Sequence, residues 1–382
     1  MESNMIYFDN AATTFPKPPQ VARAMRNALS EFGGNPGRSG HKIAMNAAEA
    51  VFEARAKAAD FFGADVENVI FTLNCTHALN MAIKGLAVPN AHYIISDLEH
   101  NAVARPVHAI CESKQRTLTN SIVKTFDNDA QTFAAFKSAV LNPKTRAVIC
   151  TAASNVTGKI LPFEKIAALC KQRGVCFILD ASQAAGVIPL KVGDGVNFIC
   201  CSGHKSLYGP MGTGLLISDG TYSLNTIIEG GTGGNSIGLE QPAEVPDRFE
   251  SGTGNTPGVI ALSAGIDFVS KLGFERIHSH EIGLCEFFLS EIAQIPKVQT
   301  YFTSMDGRTP IVPFNVDEMD SSELSSALSD AGFALRGGLH CAYLAHKKLK
   351  TLECGVVRFA PSVFNSKQEV AALVRALKRI AR

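Results

Sequence analysis

The stretch Asn197-Phe-Ile-Cys-Cys-Ser-Gly-His-Lys205, continued by Ser206-Leu-Tyr-Gly-Pro-Met-Gly-Thr-Gly214, decides how this chain is read. A short apolar run bounded by small residues and glycines predicts a buried strand. Lys205 then stands at the end of that strand, and the glycines beyond it let backbone come close to a bound ligand. Partial desolvation at such a position favours the neutral, nucleophilic amine. Taken alone, a lysine of this kind reads as an ordinary surface-loop residue.

A second stretch, Val175-Cys-Phe-Ile-Leu-Asp-Ala-Ser-Gln183, alters that reading. It is another apolar run, ending in a carboxylate with an amide three residues later, and Asp180 precedes Lys205 by 25 residues. Pyridoxal phosphate chemistry needs a lysine for a Schiff base and an acid opposite the pyridinium nitrogen. The two strand ends offer both. A phosphate-loop nucleotide site competes, because Gly203, Lys205 and Ser206 lie close together. That motif needs glycine directly before the lysine and another glycine five residues earlier. Here His204 stands between Gly203 and the lysine, and the position five before Gly203 is Phe198.

Composition narrows the remaining classes. The 382 residues, 46% of them hydrophobic, suffice for one large domain or two. A net charge of +1, with basic residues spread along the chain, makes no electrostatic case for nucleic acid or an acidic membrane. No apolar stretch approaches the roughly 18 residues of a membrane span. Met1-Glu-Ser-Asn lacks the basic start and apolar run of a secretion signal. The ten cysteines show no paired metal-ligand spacing, so no metal site is expected. Several lie in apolar runs (Cys150, Cys176, Cys200, Cys201), which suits a reducing cytoplasm better than a disulfide framework.

Along the chain, Ile6–Pro16 reads as an extended arm reaching a site. The loop Gly33–His41, with four glycines and a proline, carries Asn35, Arg38 and His41 and could meet an anion or act as a plain connector. Helical spacing covers 20–32 and 44–62, with Gly63 as a C-cap. After the strand 69–72, Thr76 reads as the N-terminal residue of a helix whose amides could hold phosphate. Strands at 93–96 and 147–151 precede Asp97-Leu-Glu-His-Asn101 and Ser154-Asn-Val-Thr-Gly158. From Val69 to Ser202 strands and helices alternate, the signature of an α/β sheet covered on both faces. Polar residues cluster past the strand ends, where such sheets bind ligands. A helix over 256–272 leads into a second region with strands near 311–316 and 355–359, a helix near 322–331, and a last helix from Lys367 opened by a Ser366/Glu369 capping box.

These pieces together resemble the class V aminotransferase-like cysteine desulfurases, in particular the group that includes selenocysteine lyases. The resemblance runs from Asp9-Asn-Ala-Ala-Thr13 to Arg358. It is carried by Ser202-Gly-His-Lys205, Asp180 with Gln183, Arg248-Phe-Glu-Ser-Gly-Thr253, and Arg336-Gly-Gly-Leu-His-Cys-Ala342. It implies an α/β fold of the pyridoxal phosphate-dependent transferase fold type I. Residues 16–255 would form a large cofactor-binding domain with a mostly parallel central sheet. Residues 1–15 and 256–382 would form a smaller α+β domain carrying a catalytic cysteine loop.

The resemblance also implies roles. Lys205 holds pyridoxal 5'-phosphate covalently and shuttles protons, Asp180 pairs with the pyridinium nitrogen, and Gln183 contacts the ring hydroxyl. His100 stacks on the ring and assists proton transfer, and Asn155 holds cofactor or substrate. Thr76, Ser202 and His204 bind the phosphate, while Gly252 and Thr253 reach the neighbouring subunit's phosphate in a homodimer. Arg358 takes the substrate carboxylate, with Arg336 and Arg38 as further substrate contacts. Cys341 attacks the sulfur of L-cysteine, releasing L-alanine and keeping a persulfide for an acceptor protein or thiol. Arg336 and His340 would lower the cost of its thiolate. Selenocysteine is a further expected substrate.

Two residues depart from the pattern: Cys75 replaces a small or hydroxyl residue, and His77 an acidic one. Altered detail in the phosphate turn is the expected result. Other readings are a transaminase or lyase on the same scaffold, which needs no reactive cysteine, and a non-catalytic sulfur-carrier scaffold.

Overall fold

The computed structural model describes residues 5–37, 40–113, 117–234 and 238–381. Among them the strands are β1 (Ile6–Tyr7), β2 (Val69–Thr72), β3 (His92–Ser96), β4 (Thr119–Val123), β5 (Thr145–Thr151) and β6 (Cys176–Asp180). They continue with β7 (Phe198–Ser202), β8 (Gly214–Ser218), β9 (Val298–Thr300), β10 (Val312–Val316), β11 (Phe333–Ala334) and β12 (Val357–Phe359).

Strands β2 to β8 build one sheet in the order β2-β8-β7-β6-β5-β3-β4. The pairs from β7 to β4 are parallel, and β8 runs antiparallel to both its neighbours. Every residue of β3, β6, β7 and β8 is buried. That is what near-continuous apolar strands with helices on both faces require. Alternation along each strand divides the core. Ile94, Val148, Phe177, Leu179, Ile199 and Leu215 enter one apolar cluster, while Tyr93, Ile95, Ile149, Ile178, Phe198 and Leu216 enter another.

Strands β2, β3, β5, β6 and β7 finish along one edge of the sheet. The segments that follow, Asn74–Thr76, Glu99–His100, Asn155, Gln183 and His204–Lys205, are gathered there. This is the ligand-binding edge of an open α/β sheet.

The C-terminal region packs β12-β10-β9 against helices Phe274–Ile292 and Lys367–Ile380. Phe288 stacks on Phe359 at 4.2 Å between ring centres. The last helix opens with the expected Ser366/Glu369 capping box. The N-terminal arm joins the two regions: β1 pairs with β11, Asp9 bridges Ala360, and the Thr14 amide and the side chains of Thr13 and Thr14 donate to the His204 carbonyl.

Two local expectations are corrected. The helix Thr256–Leu272 does not lead away from the large sheet, since its Leu262 and Ile266 belong to the first of the two sheet clusters. The helix after β2 runs Cys75–Gly85, and its N-cap is Asn74, whose side chain accepts from the His77 amide. Thr76 therefore sits inside the first turn. Among the described residues no single helix is long and apolar enough to cross a membrane.

Candidate active site

A cavity of about 300 Å³ opens at the sheet edge, walled by residues from each of the strand ends and from the C-terminal region. Lys205 and Asp180 both line it, from the adjacent strands β7 and β6. Desolvation lowers the Lys205 pKa, while Asp180 and Cys75 act in the opposite direction and Arg358 and Arg336 add to the lowering. The amine form is thereby more accessible than in a solvated lysine.

Asp180 is 3% exposed. Its Oδ1 accepts from the Ser182 amide at 2.9 Å and from the Cys75 thiol at 3.5 Å. Gln183 is buried on the wall and donates from Nε2 to the Ala11 carbonyl at 3.0 Å, so the arm and the sheet edge are tied together at the site.

His100 is the N-cap of the helix Asn101–Cys111, and its Nδ1 accepts from the Ala102 amide at 3.0 Å. Burial, helped by Lys205, Arg358 and Arg336 and opposed by Asp180, pushes its pKa down to about 4. With Nδ1 accepting, the neutral ring carries its proton on Nε2 and presents a donor to the cavity.

His204 is pushed to about 4 by burial, Lys205 and Lys17, and its Nδ1 is buried without a hydrogen-bond partner among the described residues. Its carbonyl is held by the Lys17 ammonium at 2.7 Å. Thr76 and Ser202 line the same wall.

Asn155 donates from Nδ2 to the His340 carbonyl at 2.8 Å, and its buried Oδ1 has no partner among the described residues. Arg358 is 2% exposed, donates to the Asn155 carbonyl at 2.8 Å and pairs with Asp9 at 3.0 Å. Arg336 lines the cavity beside it, paired through backbone with Arg358. Lys205, Arg336 and Arg358 thus share the wall with Asp180, the one carboxylate among its described lining residues. Such a balance suits a ligand bearing a phosphate and a carboxylate.

Cys341 is exposed and lies outside the cavity wall, although its neighbour His340 is part of it. His340 and Cys341 have φ of 47° and 54°, a left-handed conformation that costs non-glycine residues free energy. The pair is held by three bonds: Asn155 to the His340 carbonyl, the Asn101 amide to the Cys341 carbonyl at 2.7 Å, and His340 Nε2 to the Val356 carbonyl at 2.9 Å. Burial, with Arg358 and Arg336, pushes the His340 pKa down to about 2. His340 is therefore neutral and supplies no positive charge to a thiolate, contrary to the expectation from sequence.

The remaining expected contacts divide. Gly252 and Thr253 lie outside this cavity, with Thr253 accepting from Asn35 Nδ2 at 3.5 Å. His41 caps the helix Lys42–Phe62 through Nδ1, at 3.2 Å from the Ala44 amide, and is spoken for as a structural group. Arg38 lies outside the described residues. The sequence reading missed Lys17 and Asp9. The need of a buried Arg358 for a counter-charge could have pointed to Asp9. Lys17 carries no comparable signal. Among the described residues no group of His, Cys, Asp and Glu could hold a metal ion.

A family model described as aminotransferase class-V matches residues 6–373. A probable cysteine desulfurase of Mycolicibacterium paratuberculosis is 31% identical over 391 residues, covering 99% of this chain but 55% of that longer protein. A probable cysteine desulfurase of Methanothermobacter thermautotrophicus is 30% identical over 386 residues, covering 98% of this chain and 94% of the relative. The structure of an apo cysteine desulfurase from Thermococcus onnurineus NA1 superposes with a TM-score of 0.92 at 27% identity, over 99% of this chain and 94% of the other.

Proposed function

The chain belongs to the class-V aminotransferase family, and from that premise we propose that it is a pyridoxal phosphate-dependent cysteine desulfurase, converting L-cysteine to L-alanine and carrying the sulfur as a persulfide on Cys341. One observation carries this reading: Lys205 and Asp180 face one cavity from neighbouring strand ends, with Arg336 and Arg358 on the same wall. The donor set fits the cofactor. The unpartnered His204 Nδ1 and Asn155 Oδ1 are buried polar atoms awaiting a ligand, and the cavity's positive balance suits a phosphate.

When bound, pyridoxal phosphate supplies an electron sink for charge developing at the substrate Cα. The protein's own groups do the rest. Lys205 Nζ would hold the cofactor covalently and, when free, would take the substrate Cα proton, for which its lowered pKa prepares it. Asp180 keeps the ring nitrogen protonated through a charge-assisted bond. Thr76, Ser202 and His204 hold the phosphate. Gln183 and Asn155 orient the ring hydroxyl and the substrate. Arg358, stiffened by Asp9 and the Asn155 carbonyl, receives the carboxylate together with Arg336. His100 acts as an Nε2–H donor against the ring, because its Nδ1 is already engaged by backbone. Proton transfer is left to Lys205.

Cys341 Sγ then attacks the substrate sulfur, its S–S bond forming as the substrate C–S bond breaks and the electron pair passes to the carbon skeleton. The thiol reaches the substrate by a movement of its loop, since it lies off the wall. Selenocysteine, which presents the same amine and carboxylate, is proposed as a second substrate. An acceptor protein or thiol removes the persulfide.

We further propose a homodimer in which Gly252 and Thr253 serve the neighbour's phosphate. Support comes from their position outside their own cavity and from Met45 and Phe52, exposed one above the other at i and i+7 on one helix. Residues 1–15 and the part of the chain beyond the helix Thr256–Leu272 form the smaller domain in this reading. Ten unpaired cysteines favour a reducing compartment such as the cytoplasm.

The test is to incubate the cofactor-loaded enzyme with L-cysteine and reductant and measure L-alanine and sulfide, alongside Lys205→Ala. Equal amounts of both products, absent in the variant, are expected. A keto acid with no sulfide would overturn the reading in favour of a transaminase, for which an off-wall Cys341 would be no obstacle.

A further inference from the structure

The turn after β2 carries a thiol at Cys75, the first residue of the helix Cys75–Gly85. Cys75 is 4% exposed and lines the cavity. Its Sγ lies 3.5 Å from Asp180 Oδ1, and the same oxygen accepts the Ser182 amide at 2.9 Å. Among the described residues, both hydrogen bonds that reach this carboxylate fall on one oxygen. Burial, reinforced by the charge of Asp180, pushes the thiol pKa well up. The sulfur therefore keeps its proton and can serve as a donor throughout the working pH range.

A carboxylate turns readily about its last side-chain bond, so either oxygen could face a ligand. Two donors on Oδ1 remove that freedom and reserve Oδ2. We infer that Cys75 is a positioning residue for Asp180, its S–H fixing the carboxylate so that Oδ2 meets the ring nitrogen of pyridoxal phosphate with the proton kept on the ring. This rests on the cofactor reading above. The ring stays a stronger electron sink when its nitrogen stays protonated.

The experiment is a double-mutant cycle on the full-length enzyme, with Cys75→Ala, Cys75→Ser, Asp180→Asn and the Cys75→Ala/Asp180→Asn pair. Two quantities are read: the dissociation constant of pyridoxal phosphate from the cofactor-free protein, and the midpoint of the pH titration of the lysine-bound cofactor's visible absorbance. An S–H group is a weak donor but its acceptor is charged, so Cys75→Ala should change each constant by about threefold to tenfold. The absorbance midpoint should move upward, as a carboxylate free to turn holds the ring's positive charge less well. Cys75→Ser, which keeps a donor, should restore both. In the Asp180→Asn background the Cys75→Ala step should leave the midpoint unmoved. A Cys75→Ala effect of equal size in both backgrounds would show that the thiol only fills space and would overturn the inference. An unchanged midpoint in Cys75→Ala, or a failure of Cys75→Ser to restore it, would also overturn it. Asp180→Asn leaving the midpoint where it was would instead remove the ring-partner reading itself, an outcome distinct from the others.

Discussion

Glu99 is fully buried between β3 and His100, with no solvent exposure. Its Oε1 accepts from Ser96 Oγ at 2.5 Å and from the Thr151 amide at 2.8 Å, and Oε2 has no partner among the described residues. Burial raises its pKa from 4.5 to about 8, with those two bonds working against the rise and the charge of Asp180 adding to it. The folded protein thus holds a proton that the unfolded chain gives up above pH 4.5. Folding stability from this group is complete below about pH 4.5, declines as pH rises, and levels off above about pH 8. Across the steep part the slope is about 1.4 kcal/mol per pH unit, and the whole interval corresponds to about 5 kcal/mol. Glu99→Gln keeps the shape and the accepting oxygen but has no proton to lose. Urea unfolding of the cofactor-free protein from pH 5.5 to 7.5 should therefore show the variant gaining about 3 kcal/mol on the wild type over that interval. Glu281, raised to about 8 chiefly by burial, contributes the same trend to both proteins and cancels in the difference. Parallel pH dependences for the two proteins would show that Glu99 is ionised in the fold and would refute the reasoning.

Two further outcomes follow from the proposed site. Cys341→Ala should leave cofactor absorbance and substrate binding intact while alanine formation from L-cysteine falls by several orders of magnitude. Alanine formation from selenocysteine should fall far less, because selenium leaves more readily without a thiolate partner. Full cysteine activity in this variant would make Cys341 a bystander. With His100, His204 and His340 depressed to about 4, about 4 and about 2, all three are neutral from pH 5.5 upward. The rate should then show no inflection near the ordinary histidine value of about 6.5. An inflection there that disappears in His100→Gln would contradict the assignment of His100 as a neutral donor.

What could be read from sequence was what depends on neighbours along the chain. The runs ending at Asp180 and at Lys205 are apolar at every position because both faces of their strands are covered, so each strand and its terminus could be located. Once parallel strands were inferred, Asp180 and Lys205 had to emerge on one edge, and they do. The edge strand β4 escaped because four of its five residues are not buried and no apolar pattern marks it. The helix Asn101–Cys111 escaped in part because Pro106 sits inside it, a residue that ordinarily signals a helix end. Contacts that depend on the fold as a whole were less accessible still. Arg358 finds its counter-ion at Asp9, almost the entire chain away, through an arm whose two-residue strand carries little signal of its own.

Cys341 shows most sharply where local reading stops. In sequence its surroundings are judged by counting the charges in Arg336-Gly-Gly-Leu-His-Cys. In the fold, Gly338 does take a positive φ, but His340 and Cys341 do so as well without glycine's freedom. Bonds from Asn155, Asn101 and His340 hold them there, so the loop is strained and pinned. The same burial that lets His340 bond the Val356 carbonyl strips it of its charge, and the electrostatic support expected from it disappears. All three restraints begin at residues beside or within the cavity: Asn155 and His340 on its wall and Asn101 directly after His100. A substrate that draws the Asn155 Nδ2–H away would loosen one of these restraints, whereas one that meets only Oδ1 would leave it in place. Release of the Asn155 bond would remove one of the three restraints, so a loop movement that brings the sulfur inward has also to loosen the bonds to the Asn101 amide and the Val356 carbonyl.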